Sequence, residues 1–348
     1  MEYIGLDLGK TSSQICILSE DGVFVERRIK TERESFAQLF GQRPTALILV
    51  EASTESEWVA RSLEGLGHEV IVADPNFAPM YATRSKKIKT DKRDARALCE
   101  AGRLGAYRKA HRSSDRQRHI RAELAVRETM VRTRTKYIVL IKSLFSREGW
   151  RLRGGSSESF VERVKLLQLS PELQSEIEPL LILLKALNEQ IKAADRKLEE
   201  LVETDETVKR LTSVPGVGKV TATAFVAAID EIQRFADAKQ VRSYFGLVPR
   251  EFSSGEKQLR GHISKTGSRR IRSLLVEVGW GIINRESHAL TKSLRDWAMK
   301  IAERRGKKIA AVALARKLAG ILYAMCRDQT EFSPKSNKGE SLQMRLAA

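Results

Sequence analysis

Lys86-Lys87-Ile88-Lys89-Thr90-Asp91-Lys92-Arg93-Asp94-Ala95-Arg96 sets two aspartates three residues apart in a run otherwise crowded with lysine and arginine. Ala95, Ala97, Leu98 and Ala101 follow, all compatible with a helix, and Thr90 stands where an N-cap belongs. Helix positions i and i+3 share a face, with Cβ atoms roughly 5–6 Å apart. Asp91 and Asp94 can therefore point into one site while Lys89, Lys92 and Arg93 point elsewhere. Paired carboxylates suit Mg²⁺, and the surrounding cations suit phosphate. A solvated, charge-mixed helix start would read the same way, so the chain around the stretch must decide.

The segments upstream supply that context. Tyr3-Ile4-Gly5-Leu6-Asp7-Leu8-Gly9 reads as a strand, and Ser12 to Leu18 as a second with Ile15 and Ile17 alternating. Asp21-Gly22 turns the chain into a third, Val23 to Ile29, which completes a meander. A short helix around Ser35–Phe40 follows, then a buried strand from Ala46 to Val50 ending at Glu51. Glu57 to Leu66 reads as a helix stopped by Gly67, and Glu69 to Ala73 as a further strand. The order βββαβαβα predicts a mixed sheet with helices on its faces. It is the order of the RNase H fold. On that fold Asp7 lies on the first strand, Glu51 closes the fourth, and Asp91 and Asp94 open the next helix. Acids from three elements can converge at the carboxyl-end crevice of such a sheet. Two Mg²⁺ about 3.5–4 Å apart would there activate one oxygen and stabilise the leaving one. Asp7-Leu8-Gly9-Lys10-Thr11 also resembles the phosphate loop of actin-like sugar kinases. That reading needs a second Gly-rich phosphate loop, and the sequence offers none.

The 348 residues carry a formal charge of +18, and its distribution tells more than its size. Residues 1–74 hold 7 basic and 13 acidic groups, and residues 154–207 hold 6 and 12. Residues 75–153 hold 22 and 7, and residues 208–348 hold 27 and 12. Two blocks of net +15 thus alternate with two of net −6. A polyanion is the natural partner, because each cation that neutralises a phosphate releases counterions. Cys16, Cys99 and Cys326 stand far apart with no C-x-x-C, which argues against a disulfide framework or a zinc site. No apolar run approaches the ~18 residues of a membrane helix, and the N-terminus lacks a signal-peptide pattern. The expectation is a soluble cytoplasmic protein, nucleoid-associated when acting, with no membrane partner.

Ser114 to Phe145 reads as a long basic helix, with Arg127, Arg132 and Arg134 on one side and Ile120, Leu124 and Ile138 on the other. Pro171 and Pro179 punctuate the segment after it. Leu180, Leu184, Leu187, Ile191, Ala194, Leu198 and Leu201 then step by 4, 3, 4, 3, 4 and 3, a heptad seam. An antiparallel helical pair is expected, a coiled-coil arm able to dimerise.

Leu211 to Ala222 reads as helix, tight turn, helix, with Pro215-Gly216-Val217-Gly218 making the turn ahead of Lys219. Such a turn aims backbone N–H groups of a helix N-terminus outward, which suits phosphate. This is the helix-hairpin-helix pattern, which grips a DNA backbone without reading bases. Further on, Gly246 to Lys257 reads as a loop holding Ser253-Ser254-Gly255. Arg250, Lys257, Arg260 and Lys265 flank the two serines and could stabilise the charge of an attacked phosphodiester. Helices run from Ser268 to about Arg327, and the tail from Glu331 is polar and expected to be disordered.

Ile4-Gly5-Leu6-Asp7, Val50-Glu51-Ala52-Ser53, Lys89 to Ala95, the Pro215–Gly218 turn, and Gly246–Gly255 through Gly261-His262-Ile263-Ser264-Lys265 occur here in one order. Together they resemble the insertion sequence 110 family of transposases, which includes the Piv-type DNA invertases. The resemblance covers nearly the whole chain. It implies an α/β plus all-α architecture: a RuvC-like, RNase H-fold domain over 1–110, a helical coiled-coil arm over 111–205, and a mainly helical transposase domain over 206–330 with a tail over 331–348. It implies that Asp7, Glu51, Asp91 and Asp94 bind Mg²⁺, that Ser254 is the nucleophile with Ser253 second, and that strands exchange through a covalent phosphoserine. It implies a composite site between subunits of a dimer or tetramer, and a structured guide RNA pairing with donor and target DNA. Other readings are a RuvC-like nuclease or junction resolvase that uses water, a site-specific invertase, and a non-catalytic basic scaffold.

Overall fold

The computed structural model describes residues 1–82, 90–254, 257–285 and 288–333, and gives only the backbone of 253–254 and 257–260. The chain divides into two compact units, one up to Ser113 and one from Ser114 onward.

In the first unit, β1 (Tyr3–Leu8), β2 (Ser12–Leu18) and β3 (Phe24–Lys30) form the antiparallel meander. After α1 (Arg33–Phe40), strand β4 (Leu47–Glu51) pairs parallel with β1. After α2 (Ser56–Glu64), β5 (Glu69–Ala73) pairs parallel with β4. The sheet order is β3-β2-β1-β4-β5. A 3₁₀ turn over Ala78–Tyr81 leads toward α3 (Asp91–Leu104). Alternation along the strands sorts the core. Ile4, Leu6, Ile15, Ile48 and Val50 face one way, against Phe36 and Phe40 of α1 and Val59 and Leu63 of α2. Cys16, Leu18, Leu49 and Ile71 face the other, against Ala95, Leu98, Cys99 and Ala101 of α3. The sequence reading matches these elements to within a residue or two at most ends.

The second unit opens with α4 (Asp115–Arg147), followed by α5 (Phe160–Lys165) and α6 (Pro171–Thr204). The amino end of α4 (Ile120, Leu124) shares a core with the carboxyl end of α6 (Leu198, Val202). Its carboxyl end (Ile141, Phe145) packs on the amino end of α6 (Leu173, Ile177). The pair is therefore antiparallel, as expected. Two details differ from the sequence reading. Pro179 lies inside α6 rather than breaking it. An interior proline costs about 3 kcal/mol, and the buried Ile177, Leu181 and Leu184 around it supply compensating contacts. The seam also drifts from the heptad. Leu184, Ile191 and Leu198 are buried, but Leu180, Leu187, Ala194 and Leu201 are only half-buried, while Leu181 and Val202 turn inward. A helix of 3.6 residues per turn slips about 20° per heptad, which moves the contact line. Two of the positions that come into line are polar and meet arginines of α4: Arg134 donates to Asn188 Oδ1 at 3.1 Å, and Arg127 pairs with Asp195.

Next come α7 (Glu206–Thr212), α8 (Lys219–Ile229), α9 (Ala238–Tyr244), the hairpin β6 (Pro249–Ser254) and β7 (Lys257–Ile263), α10 (Arg269–Asn284), α11 (Lys292–Arg305) and α12 (Lys307–Asp328). The hairpin corrects the loop reading of Gly246 to Lys257. Its strands are polar and lack the apolar alternation that marks a half-buried strand. Helix α12 is long enough to span a membrane and holds an 18-residue stretch apolar enough to do so, a length the sequence reading does not anticipate. It is instead the centre of this unit's core, where Leu314, Leu318 and Tyr323 pack with Phe225, Phe245 and Leu275. The tail reading from Glu331 falls almost wholly beyond the described residues.

Candidate active site

Strands β1 and β4 run in parallel register, with Gly5 beside Leu49 and Leu6 beside Val50. Asp7 and Glu51 are the next step in that register, at the carboxyl ends of adjacent strands. Alternation puts both on the Gly5 side, the face that α3 covers. Gly5 is what allows α3 so near. A Cβ there would lie 2.0 Å from the Ala95 carbonyl oxygen and 2.3 Å from the Cys99 nitrogen, so the helix backbone rests directly on the strand. Asp94, one residue before Ala95, is thereby carried to the sheet and is 6% exposed. Thr90 caps the helix as expected, its Oγ1 accepting the Arg93 N–H at 3.4 Å. Asp91 and Asp94 sit in the first turn, where the helix dipole favours negative charge.

Tyr81, at the end of the 3₁₀ turn, reaches one of these acids directly. Its hydroxyl donates a hydrogen bond to Glu51 Oε2. Burial raises its ionisation well above the ordinary phenol value, and the charges of Glu51, Asp94 and Asp7 raise it further, in that order. Three of the four sequence-predicted acids thus act on one hydroxyl. No motif in the sequence marks Tyr81. The only hint is an aromatic two residues after Pro79, between a strand end and the aspartate helix.

Asp91 takes a different position. It is exposed and lines a cleft of about 320 Å³ with Gln14, Glu26, Arg27, Arg28 and Lys92. Gln14 is the cross-strand partner of Asp7, so this cleft adjoins the acid site. Lys92 reaches Glu26 at 3.3 Å, and Arg93 is exposed. Lys89 lies outside the described residues. Among the described residues no three Asp, Glu, His or Cys side chains are grouped closely enough to hold one ion. The donor set is nonetheless oxygen-only, the chemistry that suits a hard divalent cation.

In the second unit, Ser253 and Ser254 end β6, in register with Gln258 and Lys257. The side chains of Ser253, Ser254, Lys257 and Arg260 lie outside the description. Arg250 is exposed and donates to the Ser264 carbonyl at 3.5 Å. Lys265 adopts φ +58. Between α7 and α8, Gly216 takes φ +95, a backbone setting that L side chains resist. Gly218 is the N-cap of α8 with no side-chain cap bond, and Lys219 reaches Glu199 at 3.0 Å. The basic face expected on α4 is largely used internally. Arg116 pairs with Asp205, Arg134 is buried and bonds Glu158, and Arg121 donates to the Ala227 carbonyl. Long cations on a packed helix fold back onto nearby acceptors.

The first unit ends its sheet in carboxylates and the second is basic and mainly helical, a combination that suits a protein handling polyanions. Residues 208–293 match the transposase IS116/IS110/IS902 family, and residues 4–147 match a second family described as transposase. The chain is 30% identical over 343 residues to a probable family 20 transposase of Pseudomonas aeruginosa, covering 96% of this chain and 99% of that one. It is 28% identical to the transposase for insertion sequence element IS1111A of Coxiella burnetii, covering 95% of this chain and 91% of that one. It is 24% identical to the pilin gene-inverting protein of Moraxella bovis, covering 96% and 98%. The chain belongs to the IS116/IS110/IS902 family of transposases, and it is a DNA-acting transposase enzyme.

Proposed function

We propose that this transposase cuts and rejoins the DNA of its insertion sequence through a covalent phosphoserine formed by Ser254, with Ser253 as the second candidate. The first unit is read as RNase H-like, which the sheet order β3-β2-β1-β4-β5 supports. The observation that supports the reading is the placement of Asp7 and Glu51 at the carboxyl ends of adjacent parallel strands, with Asp94 pressed onto the same face by the Gly5 contact. Asp7, Glu51, Asp91 and Asp94 are the residues that would hold Mg²⁺. When bound, the metal would supply Lewis-acid stabilisation of phosphate charge and make the attacking hydroxyl easier to deprotonate.

In the proposed step the serine Oγ attacks phosphorus and loses its proton to a base, the Oγ–P bond forms, and the bond to the leaving sugar oxygen breaks. That oxygen leaves protonated. A second strand's hydroxyl then attacks the phosphoserine and frees the serine. The ester keeps the energy of the broken phosphodiester, so rejoining needs no nucleotide cofactor. The nearest of the acids, Asp94, lies 160 residues before Ser254, so the site is read as composite. A dimer or tetramer would assemble it, and the exposed Val139, Leu140, Ile182 and Leu183 of α4 and α6 offer contact surface. Gly216, Gly218 and Lys219 serve as a helix-hairpin-helix grip on the backbone. Lys89, Lys92, Arg93, Arg250, Lys257, Arg260 and Lys265 carry DNA and a structured guide RNA.

The test is a denaturing gel for a protein–DNA adduct. Loss of the adduct and of cleavage in Ser254→Ala supports the reading. Wild-type cleavage in both Ser254→Ala and Ser253→Ala overturns it in favour of a water nucleophile. A second reading, site-specific inversion, draws on the likeness to the pilin gene-inverting protein. Recombination of paired sites in inverted and direct orientation separates the two.

A further inference from the structure

A cleft of about 970 Å³ opens in the second unit at the foot of the β6–β7 hairpin. Pro249, Gly261 and Ile263 of the hairpin line it, with Lys308, Ile309, Val312, Arg316 and Lys317 from α12. Steps of three and four place those α12 residues on one helical side. Trp297 of α11 and Arg242 of α9 also line it. Among the described residues no Asp or Glu does.

Three of the cations are half-buried or more, which is a costly way to hold like charges. Arg242 is 4% exposed, and its place depends on Gly320, where a Cβ would lie 2.5 Å from the guanidinium. Burial and then Arg316 lower the Arg242 ionisation, with partial relief from Asp237. Burial and then Arg242 lower that of Lys317, whose Nζ lies 4.4 Å over the Trp297 ring. An anion in the cleft would relieve this repulsion.

Cations alone would suit the backbone of a duplex. The apolar surface between them makes the distinction. Ile309 is 43% exposed on the cationic side of α12, and Leu247, Ile263, Trp297 and Val312 line the same cleft. Duplex phosphates gain nothing from such surface, whereas unstacked bases do.

We propose that this cleft seats an unpaired stretch of nucleic-acid strand, with phosphates on Lys308, Arg316 and Lys317 and bases against Ile309 and Trp297. The proposal rests on the strand-cleavage reading for its purpose, since a strand opened beside the serine hairpin must be held while it waits for its new partner.

The test uses the full chain with divalent metal chelated, so that nothing is cut. Fluorescence anisotropy measures binding of a fluorescein-labelled oligothymidylate strand and of a blunt mixed-sequence duplex. Ile309→Ser is expected to weaken the single strand about tenfold and the duplex by less than about twofold. Arg316→Ala is expected to weaken the single strand and reduce its salt slope by about one. Equal losses for strand and duplex, or no loss for either, would overturn the proposal. A 5-iodouracil strand photocrosslinked to the unsubstituted chain gives a second measurement that no folding defect can confuse. Crosslinked peptides containing Trp297 or Ile309 support the proposal, and crosslinks confined to other segments sink it. No cleavage is read in either assay. Failure of the serine mechanism and failure of the cleft therefore appear in different experiments.

Discussion

The Tyr81 hydroxyl donates to Glu51 from a turn that no motif marks, and the charges of Asp94 and Asp7 also act on it. A carboxylate oxygen engaged by a phenol is less available to a cation. The hydroxyl therefore competes with whatever divalent ion the acids receive. A hydrogen bond to a charged group contributes about 1.5–3 kcal/mol net of solvent competition, and a cation that uses the other carboxylate oxygen need weaken it only in part. Tyr81→Phe should tighten Mg²⁺ binding by roughly threefold to tenfold. Calorimetric titration with Mg²⁺ on the free protein checks this directly. Unchanged affinity would mean that the tyrosine only fills space.

Gly5 and Ala95 set how close α3 comes to β1. A methyl at Gly5 would meet backbone on both the Ala95 and Cys99 sides, and backbone cannot rotate away. Gly5→Ala should cost about 1–3 kcal/mol by overpacking and should shift Asp94 enough to abolish strand cleavage. Gly102→Ala is the control. There the added atom would meet side-chain atoms of Leu47 and Leu49 at 3.4 and 3.6 Å. Denaturant midpoints of the two variants should differ clearly, with Gly102→Ala near the parent.

Much of the first unit was legible because its signals are local. The alternation of Ile15 and Ile17, the Asp21-Gly22 turn and the Thr90 cap each fix an element without help from distant residues. The sheet order is less local, because element order leaves β4 free to pair at either edge of the meander, and the structure pairs it with β1. The four acids were legible only as positions, because spacing along a chain fixes a helix face but not the angle at which that face meets a sheet. Asp94 is pressed to the sheet by the Gly5 contact, while Asp91, one turn edge away, looks into the Gln14 and Arg28 cleft. Tyr81 stayed invisible because its role depends on where a 3₁₀ turn lands. The serine hairpin was missed because both its strands are polar, and periodicity cannot see a strand without an apolar face. The basic face of α4 misled for the opposite reason, since charge counts do not reveal which arginines find internal partners.

Arg134 shows what those internal partners do. It is 9% exposed on α4, donates to Glu158 at 2.8 Å and to Asn188 at 3.1 Å, and so pins α4, the segment before α5, and α6. Removing the acceptors from a buried cation costs about 3–5 kcal/mol, whereas replacing the whole arrangement by apolar groups is often neutral. The Glu158→Ala, Asn188→Ala double variant should be destabilised toward that range, discounted because Glu158 is itself 65% exposed. Arg134→Met should lose much less. Urea midpoints decide, and a larger loss in Arg134→Met would show that packing of the arginine stem, not its charge, holds the pair together.

Glu57 on α2 gives the first unit a signature in acid. Burial alone would raise its carboxyl, but hydrogen bonds and charge from Arg112 and Arg61 hold it below the ordinary value of 4.5. Arg112 also grips Glu64, so it ties the end of the first unit to α2. The folded form releases its proton more readily than the unfolded form, so as pH falls the unfolded chain binds protons first. The stabilisation is whole above about pH 5 and is lost as pH drops through the unfolded value and then the folded one. Glu57→Gln removes this titration. The variant should melt lower than the parent at neutral pH, and the two melting curves should converge as pH falls through the unfolded and then the folded value of Glu57. Circular dichroism melts across that range provide the check. Curves that stay parallel would show that the Arg112 bridge contributes nothing specific to the carboxylate form.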